Sequence, residues 1–470
     1  MLARLNSIKR SEARRRRAER DWQKLTDKYL PLHPRDSIWW FSRRPTRRLP
    51  AQGWKLHVSA TILSAVEIFR AIAPHLARRG VSFKAIRSLR DLDRLNSGLD
   101  GYSQIGKFIT IYPPSTEEAV SIAKDLARLT AGRAAPVVPY DERVRTSCVY
   151  YRFGAFGNRQ MKWRGRRVPA LTRPDGVLVP DTRTPHNAVP DWLDDPFVSL
   201  ASRQAQTKLT PLETRYRGYK ALSQRGRGGV YRARDTSTKP PRLCIIKEGR
   251  RHGEVSWDGV DGFARIRAES AFLKALSPTV TALPKVFHTF VADGSFHLAM
   301  EHIRGRSLHQ IITSRKRIAR QRLLRFCEQM ARIVAVIHAT GWAWRDCKPD
   351  NFLCGKNGGL RAIDFENACR AKAPPSRWGT PEYLPTGSRP NETAQGTDLY
   401  ALGKCFMQLV MRTPKPPAGA SSFKTAGTRQ QLPREFIELA IGLTETDPTR
   451  RPSAAAVSAT LRRRLRNRRR

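Results

Sequence analysis

A catalytic-loop pattern in the second half of the chain constrains its fold more than any other feature. The segment GWAWRDCKPDNFLCG contains Asp346, Lys348 and Asn351, and Asp364 follows an apolar run thirteen residues after Asn351. Transfer of a phosphoryl group needs a carboxylate that orients the attacking hydroxyl, and oxygen ligands that hold Mg²⁺ between the phosphates. Asp346 suits the first role, Asn351 and Asp364 suit the second, and Lys348 can neutralise the moving phosphoryl group. The spacing therefore predicts a phosphotransferase that uses ATP and Mg²⁺.

Further motifs occur before and after this loop in the order typical of protein kinases. Lys247 lies in the apolar strand segment CIIK, and Glu269 in RIRAESAFL is its predicted ion-pair partner. The segments RWGTPEYL, GTDLYALG and DPTRRPSA come later and supply Asp398 and Arg451. Residues 212–463 thus resemble a protein kinase throughout, and the resemblance implies a bilobal kinase fold.

Several positions depart from the kinase pattern. The degraded glycine-rich loop SQRGRGGVY retains Gly226, Gly228 and Val230 as candidates for ATP binding, and its glycines are expected to leave the turn flexible enough for backbone amides to cover the phosphates. Trp344 stands where histidine is usual before Arg-Asp, and Gly387 stands where glutamate is usual. Because the residues that perform the chemistry are retained, the pattern favours an active, atypical kinase, with a pseudokinase as the alternative.

The first half of the chain has a different pattern. The segments WKLHVSA, VSFKAI, KFITIY and CVYYRFGAF indicate strands, and helical spacing between them predicts an α/β domain over residues 31–205. A basic helix is expected over residues 1–30, and a basic tail over residues 464–470. The predicted fold class is therefore α+β, with the α/β domain before the kinase fold.

Basic side chains recur in these predicted strands. Lys55 and His57 are two residues apart, so they project from one face, which taken alone is typical of the wet side of a half-buried strand. The other cations of these segments are Lys84, Lys107, Arg143, Arg145 and Arg152. Because like charges repel, such a group is expected to converge only around a strong anion such as a phosphorylated side chain. Elimination of that phosphate needs a base, which a lysine with a depressed pKa can be, and an acid, which histidine can be.

The segments GWKLHVSAT, GVSFKAIRSLRDLDRLNS, GKFITIYP and YYRFGAF, and GGVYRARD and IIKEGR later on, resemble class III and class IV lanthipeptide synthetases. The resemblance runs from about residue 30 to residue 463 and implies that the first domain is a phosphoserine and phosphothreonine lyase. It implies Lys84 as the base and His57 as the acid. The phosphate-binding residues that it implies are Lys55, Lys107, Arg145 and Arg152, with Arg143 as a further candidate. Family members continue into a zinc-bearing cyclase, which this sequence is expected to lack, so ring closure would fall to a separate cyclase.

These expectations combine in a two-step dehydratase. The kinase domain would phosphorylate Ser or Thr of a precursor peptide, and the first domain would expel the phosphate to leave dehydroalanine or dehydrobutyrine. Two alternatives stay open. One is a signalling Ser/Thr protein kinase with a non-catalytic N-terminal recognition domain, and the other is a pseudokinase scaffold that binds nucleic acid or an anionic membrane. The retained Lys247 and Asp346 weigh against the scaffold.

The charge of the chain bears on its partners. There are 87 Lys and Arg against 40 Asp and Glu, a net charge of +47. Such a surface attracts polyanions, so an acidic leader on the peptide is an expected partner, and nucleic acid is compatible but not favoured. The seven cysteines form no C-x-x-C pair, and no apolar run reaches the roughly 20 residues of a membrane span. A cytoplasmic location is expected.

Overall fold

The chain contains two compact units. The computed structural model describes residues 2–42, 49–157, 159–184, 188–200, 209–373, 379–387 and 391–467, with side chains from residue 10 onward. The first unit comprises Met1–Tyr231, Lys247–Ala264 and Val291–Phe296, and the second comprises Arg232–Ile246, Arg265–Phe290 and His297–Arg470. The domain limits predicted from the sequence, 31–205 and 212–463, stay predictions.

An antiparallel six-stranded sheet forms the centre of the first unit. Its strands are β1 (Trp39–Phe41), β2 (Gln52–Val58), β3 (Ser82–Ile86), β4 (Ile109–Tyr112), β5 (Glu142–Arg143) and β6 (Val149–Ala155). Their spatial order is β1-β3-β4-β2-β6-β5. Because side chains alternate between the faces of a strand, Trp54, Leu56 and Val58 of β2 enter the core while Lys55 and His57 point to the opposite face.

Helices pack on the apolar face of this sheet. They are α1 (Leu2–Tyr29), α2 (Ala65–Arg78), α3 (Leu89–Ser97) and α4 (Thr116–Leu129). Trp22 of α1 contacts Phe69 of α2 with 4.9 Å between ring centroids, and both share one core with Leu56 and Ile122. Burial of each large apolar side chain contributes roughly 1.5–3 kcal/mol. This layer therefore holds the sheet and leaves its other face to polar side chains.

Two smaller groups of strands follow in the chain. A three-stranded sheet contains β7 (Gln160–Trp163), β8 (Arg166–Thr172) and β9 (Leu178–Pro180). After the short helix α5 (Pro211–Thr214) comes a five-stranded sheet with the order β10-β11-β12-β14-β13. Its elements are β10 (Tyr216–Arg225), β11 (Gly228–Asp235), β12 (Arg242–Arg250), β13 (Val286–Ala292) and β14 (Ser295–Glu301), with helix α6 (Gly262–Leu276) between β12 and β13.

The rest of the second unit is mainly helical. Its helices are α7 (Leu308–Ile312), α8 (Arg320–Ala339), α9 (Ala394–Met411), α10 (Ala420–Arg429), α11 (Arg434–Leu443) and α12 (Ala454–Asn467). Its short strands are β15 (Arg306–Ser307), β16 (Trp342–Ala343), β17 (Phe352–Cys354), β18 (Leu360–Ala362) and β19 (Cys369–Arg370). The loop between β16 and β17 carries the predicted catalytic residues. Residues 464–467 of the predicted basic tail are helical, and the rest of that tail lies outside the described residues.

The predicted α+β fold class is confirmed, with an N-terminal domain of mixed helix and sheet followed by a kinase domain. Over the part of the chain that the structure describes, no helix has both the length and the apolar composition needed to cross a bilayer. The two groups of predicted site residues lie on different elements, one on the polar face of the six-stranded sheet and one around the β16–β17 loop.

Candidate functional site

The strands of the first unit align most of the predicted cations on the polar face of the sheet, called the cationic face below. Lys55 of β2 lies opposite Arg152 of β6. His57 of β2 and Lys84 of β3 pair with the same position of β4, one from each side. Lys107 lies just before β4 and is buried. The structure therefore brings together five residues that are far apart in the sequence.

Two buried carboxylates, which the sequence analysis missed, hold part of this group. Asp141 lies between His57 and Lys107, with Oδ2 2.5 Å from Nδ1 of His57 and Oδ1 3.2 Å from Nζ of Lys107. Asp181 accepts a hydrogen bond from Arg152 Nη2 at 2.5 Å and another from the backbone of Ala155 at 3.1 Å. These carboxylates orient the cations that they contact.

Arg183 is a further cation of this face that the sequence analysis missed. It lies two residues after Asp181, and its positive charge lowers the pKa of Lys84 and of Lys107. Arg183 is exposed to solvent, yet partial desolvation and the charge of Arg152 lower its pKa. Asp141, Asp181 and Arg183 lie in loops, where no strand period links them to Lys55. No sequence signal distinguishes these two aspartates from the other acidic residues of the domain.

The lysines of the cationic face are poorly solvated. Burial, together with the charges of Arg152, Arg183 and Lys84, lowers the pKa of Lys55 to about 7, although Asp181 acts in the opposite direction. Burial and Arg183 lower the pKa of Lys84 to about 8. Burial also lowers the pKa of Lys107 to about 8, against the attraction of Asp141. Near neutral pH these amines can therefore lose a proton, as a lysine base must.

His57 differs from the expectation of a histidine that titrates near neutrality. Burial, and then the charge of Lys107, lowers the pKa of His57 to about 3, although Asp141 raises it. Burial opposes ionisation of Asp141 as well, but the contacts with His57 and Lys107 hold the pKa of that carboxyl below its usual range. In the protein without an anionic ligand, the His57 ring is therefore neutral at pH 7.

Aromatic rings form part of the wall around the lysines. The Nζ atom of Lys84 lies 4.4 Å from the ring centroid of Trp39, and Nζ of Lys55 lies 5.9 Å from those of Tyr112 and Phe156. Such rings attract a cation and exclude water. They therefore place each amine while keeping it poorly hydrated.

The two remaining predicted phosphate ligands lie differently. Arg143 of β5 pairs with Tyr150, which pairs with His57, so it shares the row of His57. Its Nε donates to the carbonyl of Ser147 at 2.7 Å. Arg145 lies in the turn after β5, where φ is 48°, and its side chain is exposed to solvent. The structure does not bring Arg145, whose phosphate-binding role the resemblance implied, to the cationic face, because this residue lies in the turn beyond the end of β5.

The predicted kinase residues of the second unit form a hydrogen-bonded group around Asp346. Lys348 Nζ donates to Asp346 Oδ2 at 2.8 Å and to Thr380 Oγ1 at 2.8 Å. Thr380 Oγ1 donates to Asp346 Oδ1 at 3.0 Å. Asn351 Nδ2 donates to the Asp346 carbonyl at 2.9 Å and to its Oδ2 at 3.0 Å. Asp346 is thus fixed in position, and the amide oxygen of Asn351 is the atom left for a cation.

Trp344, which stands where histidine is usual, packs in the core beside the loop that carries Asp346. It is fully buried and stacks on Phe365, with 5.1 Å between centroids. Its backbone amide donates to Asp398 Oδ2 at 2.7 Å, and its Nε1 donates to the carbonyl of Asp364 at 2.8 Å. The backbone of Asp364 has φ 68°. The tryptophan therefore supports both Asp364 and the turn that carries Asp346.

The absence of a glutamate at Gly387 is offset by another residue. Arg451 Nη1 lies 2.8 Å from Glu392 Oε1 and donates to the carbonyl of Gly396 at 2.7 Å. Both charged side chains are buried, at 0% and 8% exposure. Sequence reasoning missed Glu392 because it follows the usual position by five residues, within a loop of irregular length. The structure shows that Arg451 retains a carboxylate partner.

Gly226, expected in a flexible turn, lies in close contact with the backbone of another segment. Its amide donates to the carbonyl of Ser97 at 3.1 Å, and a Cβ at this position would lie 1.6 Å from the carbonyl oxygen of Asn96. The Gly226 amide therefore has a backbone partner, and its part in ATP binding stays a prediction. Gly228 is also enclosed, since a Cβ there would lie 1.8 Å from the carbonyl oxygen of Glu248.

The other predicted nucleotide-binding residues are buried or half-buried. Lys247 of β12 and Val230 of β11 belong to the first unit. Glu269 of α6 belongs to the second unit, where it is fully buried and its Oε1 accepts a hydrogen bond from the amide of Phe365 at 3.0 Å. The ion pair between Lys247 and Glu269 stays a prediction.

Comparison with known families agrees with both parts of this description. Residues 15–209 match the family described as RamC, N-terminal domain, and residues 219–460 match the protein kinase domain. This chain belongs to the protein kinase family. The predicted resemblance to class III and class IV lanthipeptide synthetases, in which such an N-terminal domain precedes a kinase domain, is confirmed.

Three curated proteins are similar to parts of this kinase. A protein of Streptomyces coelicolor named "Probable SapB synthase" is 32% identical over 343 residues, which cover 70% of this chain and 37% of that protein. Serine/threonine-protein kinase F of Synechocystis is 27% identical over 218 residues, 42% of this chain and 44% of that protein. The 3-phosphoinositide-dependent protein kinase 1 of Arabidopsis thaliana is 27% identical over 201 residues, 37% of this chain and 40% of that protein. The chain thus spans less than half the length of these curated relatives.

Proposed function

We propose that this kinase phosphorylates Ser or Thr of a peptide with ATP and then removes the phosphate by β-elimination. The products on the peptide are dehydroalanine from Ser and dehydrobutyrine from Thr. The observation that carries the proposal is the cationic face, where Lys55, Lys84 and Lys107 lie beside two arginines on one side of a sheet. A kinase that only signals has no need for such a face.

The charge of this face suits a phosphorylated side chain. Its five cations are Lys55, Lys84, Lys107, Arg152 and Arg183, and its two carboxylates are Asp141 and Asp181. With every lysine protonated, five cations less two carboxylates leave three positive charges. A phosphomonoester carries about −1.5 to −2 charges at pH 7. Its arrival would therefore neutralise most of this excess, and guanidinium groups favour forked hydrogen bonds to its oxygens.

Lys84 is the proposed base. Its neutral amine takes the proton from Cα, the electron pair of that bond forms the Cα–Cβ double bond, and the Cβ–O bond breaks with its electrons leaving on the phosphate oxygen. The depressed pKa of Lys84 makes the neutral amine accessible near pH 8. Phosphate is a far better leaving group than hydroxide, which is the reason for phosphorylating the hydroxyl first.

His57 is the proposed acid, once phosphate is bound. A dianion beside Lys107 offsets the positive charge that helps to depress the pKa of His57, so that pKa rises in the complex. The contact between Asp141 and Nδ1 fixes the ring and stabilises its protonated form. Nε2 is then the atom that delivers the proton to the departing phosphate.

The first step uses the group around Asp346. This carboxylate orients the attacking hydroxyl, and Lys348 neutralises charge on the transferring phosphoryl group. Asn351 and Asp364 offer an amide oxygen and a carboxylate, the hard oxygen donors that Mg²⁺ prefers. Mg²⁺ bound there would supply charge neutralisation for the phosphates of ATP.

The deciding experiment is mass analysis of a Ser- and Thr-containing peptide after incubation with the full chain, ATP and Mg²⁺. Net loss of water from the peptide supports the proposal. Stable addition of phosphate, without later loss, would instead identify a phosphorylating enzyme with a non-catalytic first domain. A synthetic phosphoserine peptide, incubated without ATP, assays the elimination step separately.

A further inference from the structure

The turn between β10 and β11 is held by the C-terminal end of helix α3. Besides the bond from Gly226 to Ser97, a Cβ at Gly98 would lie 3.5 Å from the amide nitrogen of Gly226, so the two backbones are in direct contact. Helix α3 ends here because Gly98 adopts φ 81° and its amide caps the carbonyl of Leu95. The residues that end helix α3, Asn96 to Gly98, thus form the surface against which the glycine-rich turn packs. This surface is called the seat of the turn below.

The opposite side of this turn is also enclosed by backbone. The carbonyl of Arg227 accepts a hydrogen bond from the amide of Arg250 at 2.8 Å. A Cβ at Gly262 would lie 1.9 Å from that same carbonyl oxygen, and a Cβ at Gly253 would lie 2.3 Å from the carbonyl oxygen of Gly226. Backbone contact on two sides restricts the turn far more than a solvent-exposed hairpin would be restricted.

Asn96 links this seat to the cationic face. Its side chain is buried, its Nδ2 donates to the carbonyl of Ala60 at 2.9 Å, and its Oδ1 accepts from the amide of Gly106 at 3.2 Å. Ala60 follows the strand that carries Lys55 and His57, and Gly106 directly precedes Lys107. One side chain therefore holds the ends of two segments of the cationic face, while its own backbone carbonyl lies against Gly226.

We propose that the end of helix α3 positions the glycine-rich turn for ATP binding, with Asn96 as the positioning residue. In protein kinases this turn covers the phosphates of ATP, and a mobile turn must be ordered when ATP binds. A turn already ordered by Asn96 and Ser97 avoids that entropic penalty. The N-terminal domain is thus part of the nucleotide-binding apparatus, whether or not it eliminates phosphate.

The first test is Gly226→Ala in the full chain. The added methyl group forces the turn away from Asn96, and the KM and Kd for Mg²⁺-ATP are expected to rise about tenfold with kcat changed much less. Gly419→Ala is the matched control, because a Cβ there meets nothing within 4 Å and its φ of −126° suits alanine. An unchanged affinity for ATP in a folded Gly226→Ala protein overturns the proposal.

A second measurement uses the unmodified protein and does not depend on a variant folding. Hydrogen exchange at the Gly226 amide is expected to be slow before ATP is added, because that amide donates to Ser97. Exchange as fast as in an exposed loop would show that the turn is not seated on α3, and the proposal would fail.

Asn96→Ala separates positioning from the elimination chemistry. It is expected to speed exchange at Gly226 and raise the KM for ATP, and also to slow elimination from a phosphoserine peptide, because Ala60 and Gly106 lose their support. Only the last expectation rests on the proposed function. A protein that shows no elimination at all, but still loses ATP affinity on this substitution, would refute the dehydratase and support the positioning role. Unchanged ATP kinetics and unchanged exchange would refute the positioning role alone.

Discussion

The cationic face and the group around Asp346 differ in how their charges are balanced. On the face, three lysines with depressed pKa lie beside two arginines, and two carboxylates neutralise only part of the charge. Around Asp346, a lysine, a threonine and an asparagine all bond to the one carboxylate. This difference in charge balance suggests a different ligand for each site. Under the proposed function, an incoming phosphate would bring the missing negative charge to the cationic face, whereas Asp346 would be held in position for a hydroxyl.

Asp346→Asn should have the largest effect. Loss of the carboxylate that orients the hydroxyl is expected to slow phosphorylation about 100-fold to 10,000-fold. Elimination from a phosphoserine peptide should be unaffected, because the two sites use separate residues. Asp350→Asn, at an exposed carboxylate four residues further along, is the control. Phosphorylation would be followed as phosphopeptide formed, and equal loss in both variants would contradict the role of Asp346.

Lys84→Ala should separate the phosphorylation step from the elimination step. The kinase step continues while elimination slows at least about 100-fold, so phosphopeptide accumulates and is seen by mass analysis. Lys124→Met removes an exposed lysine from helix α4 of the same unit and should change neither step. Normal dehydration by Lys84→Ala would show that another group is the base.

Glu392→Gln probes an internally paired charge in the second unit. Removing this carboxylate leaves the buried guanidinium of Arg451 without its ion-pair partner, and the free energy of unfolding is expected to fall by about 3 kcal/mol. Thermal and denaturant unfolding would measure the change. Glu438→Gln, which breaks the exposed pair with Arg434 in helix α11, should have little effect. Equal effects would mean that Glu392 does not replace the residue missing at Gly387.

The pH dependence of elimination should report the proposed base and the proposed acid together. In the free protein Lys84 has a pKa of about 8 and His57 a pKa of about 3, so between these values the pair holds the one proton that the reaction needs, but mostly on the lysine. The value of kcat/KM with a phosphoserine peptide should therefore stay level between pH 6.5 and 8 and fall about tenfold per pH unit above 8, where that proton is lost. A value that rises steadily across pH 6.5 to 8 would show that protonated His57 is not the acid.

Lys55→Met should have the smallest effect of these variants. It is expected to raise the free energy of unfolding, whereas Glu392→Gln is expected to lower it. The pKa of Lys55 is about 7 when folded and near 10.5 when unfolded, so the unfolded chain binds more protons between these values and stability rises with pH there. Below pH 7 the buried charge is destabilising, and its removal is expected to raise the free energy of unfolding by on the order of 1 kcal/mol. Added inorganic phosphate should stabilise the unmodified protein more than the variant. A destabilised variant at pH 6 would contradict this account.

The sequence predicted the group around Asp346 more completely than the cationic face, and the reason is physical. Asp346, Lys348 and Asn351 lie within six consecutive positions, and the structure joins them through one loop. The residues of the cationic face come from separate strands. The alternation of β2 predicts that Lys55 and His57 project from one face, but it does not predict how far their side chains are buried. Asp141, Asp181 and Arg183 come from loops, and no local period places a loop residue.

The sequence by itself determined the order of the kinase motifs, the alternation that separates Lys55 and His57 from the core, and the α+β class. These depend on neighbours along the chain, and short-range rules govern them. Only the tertiary structure decided that Glu392 partners Arg451, that Asp141 lies between His57 and Lys107, and that Gly226 is seated on Asn96 and Ser97. Each of these depends on contacts between segments far apart in sequence, whose approach is set by the packing of the core.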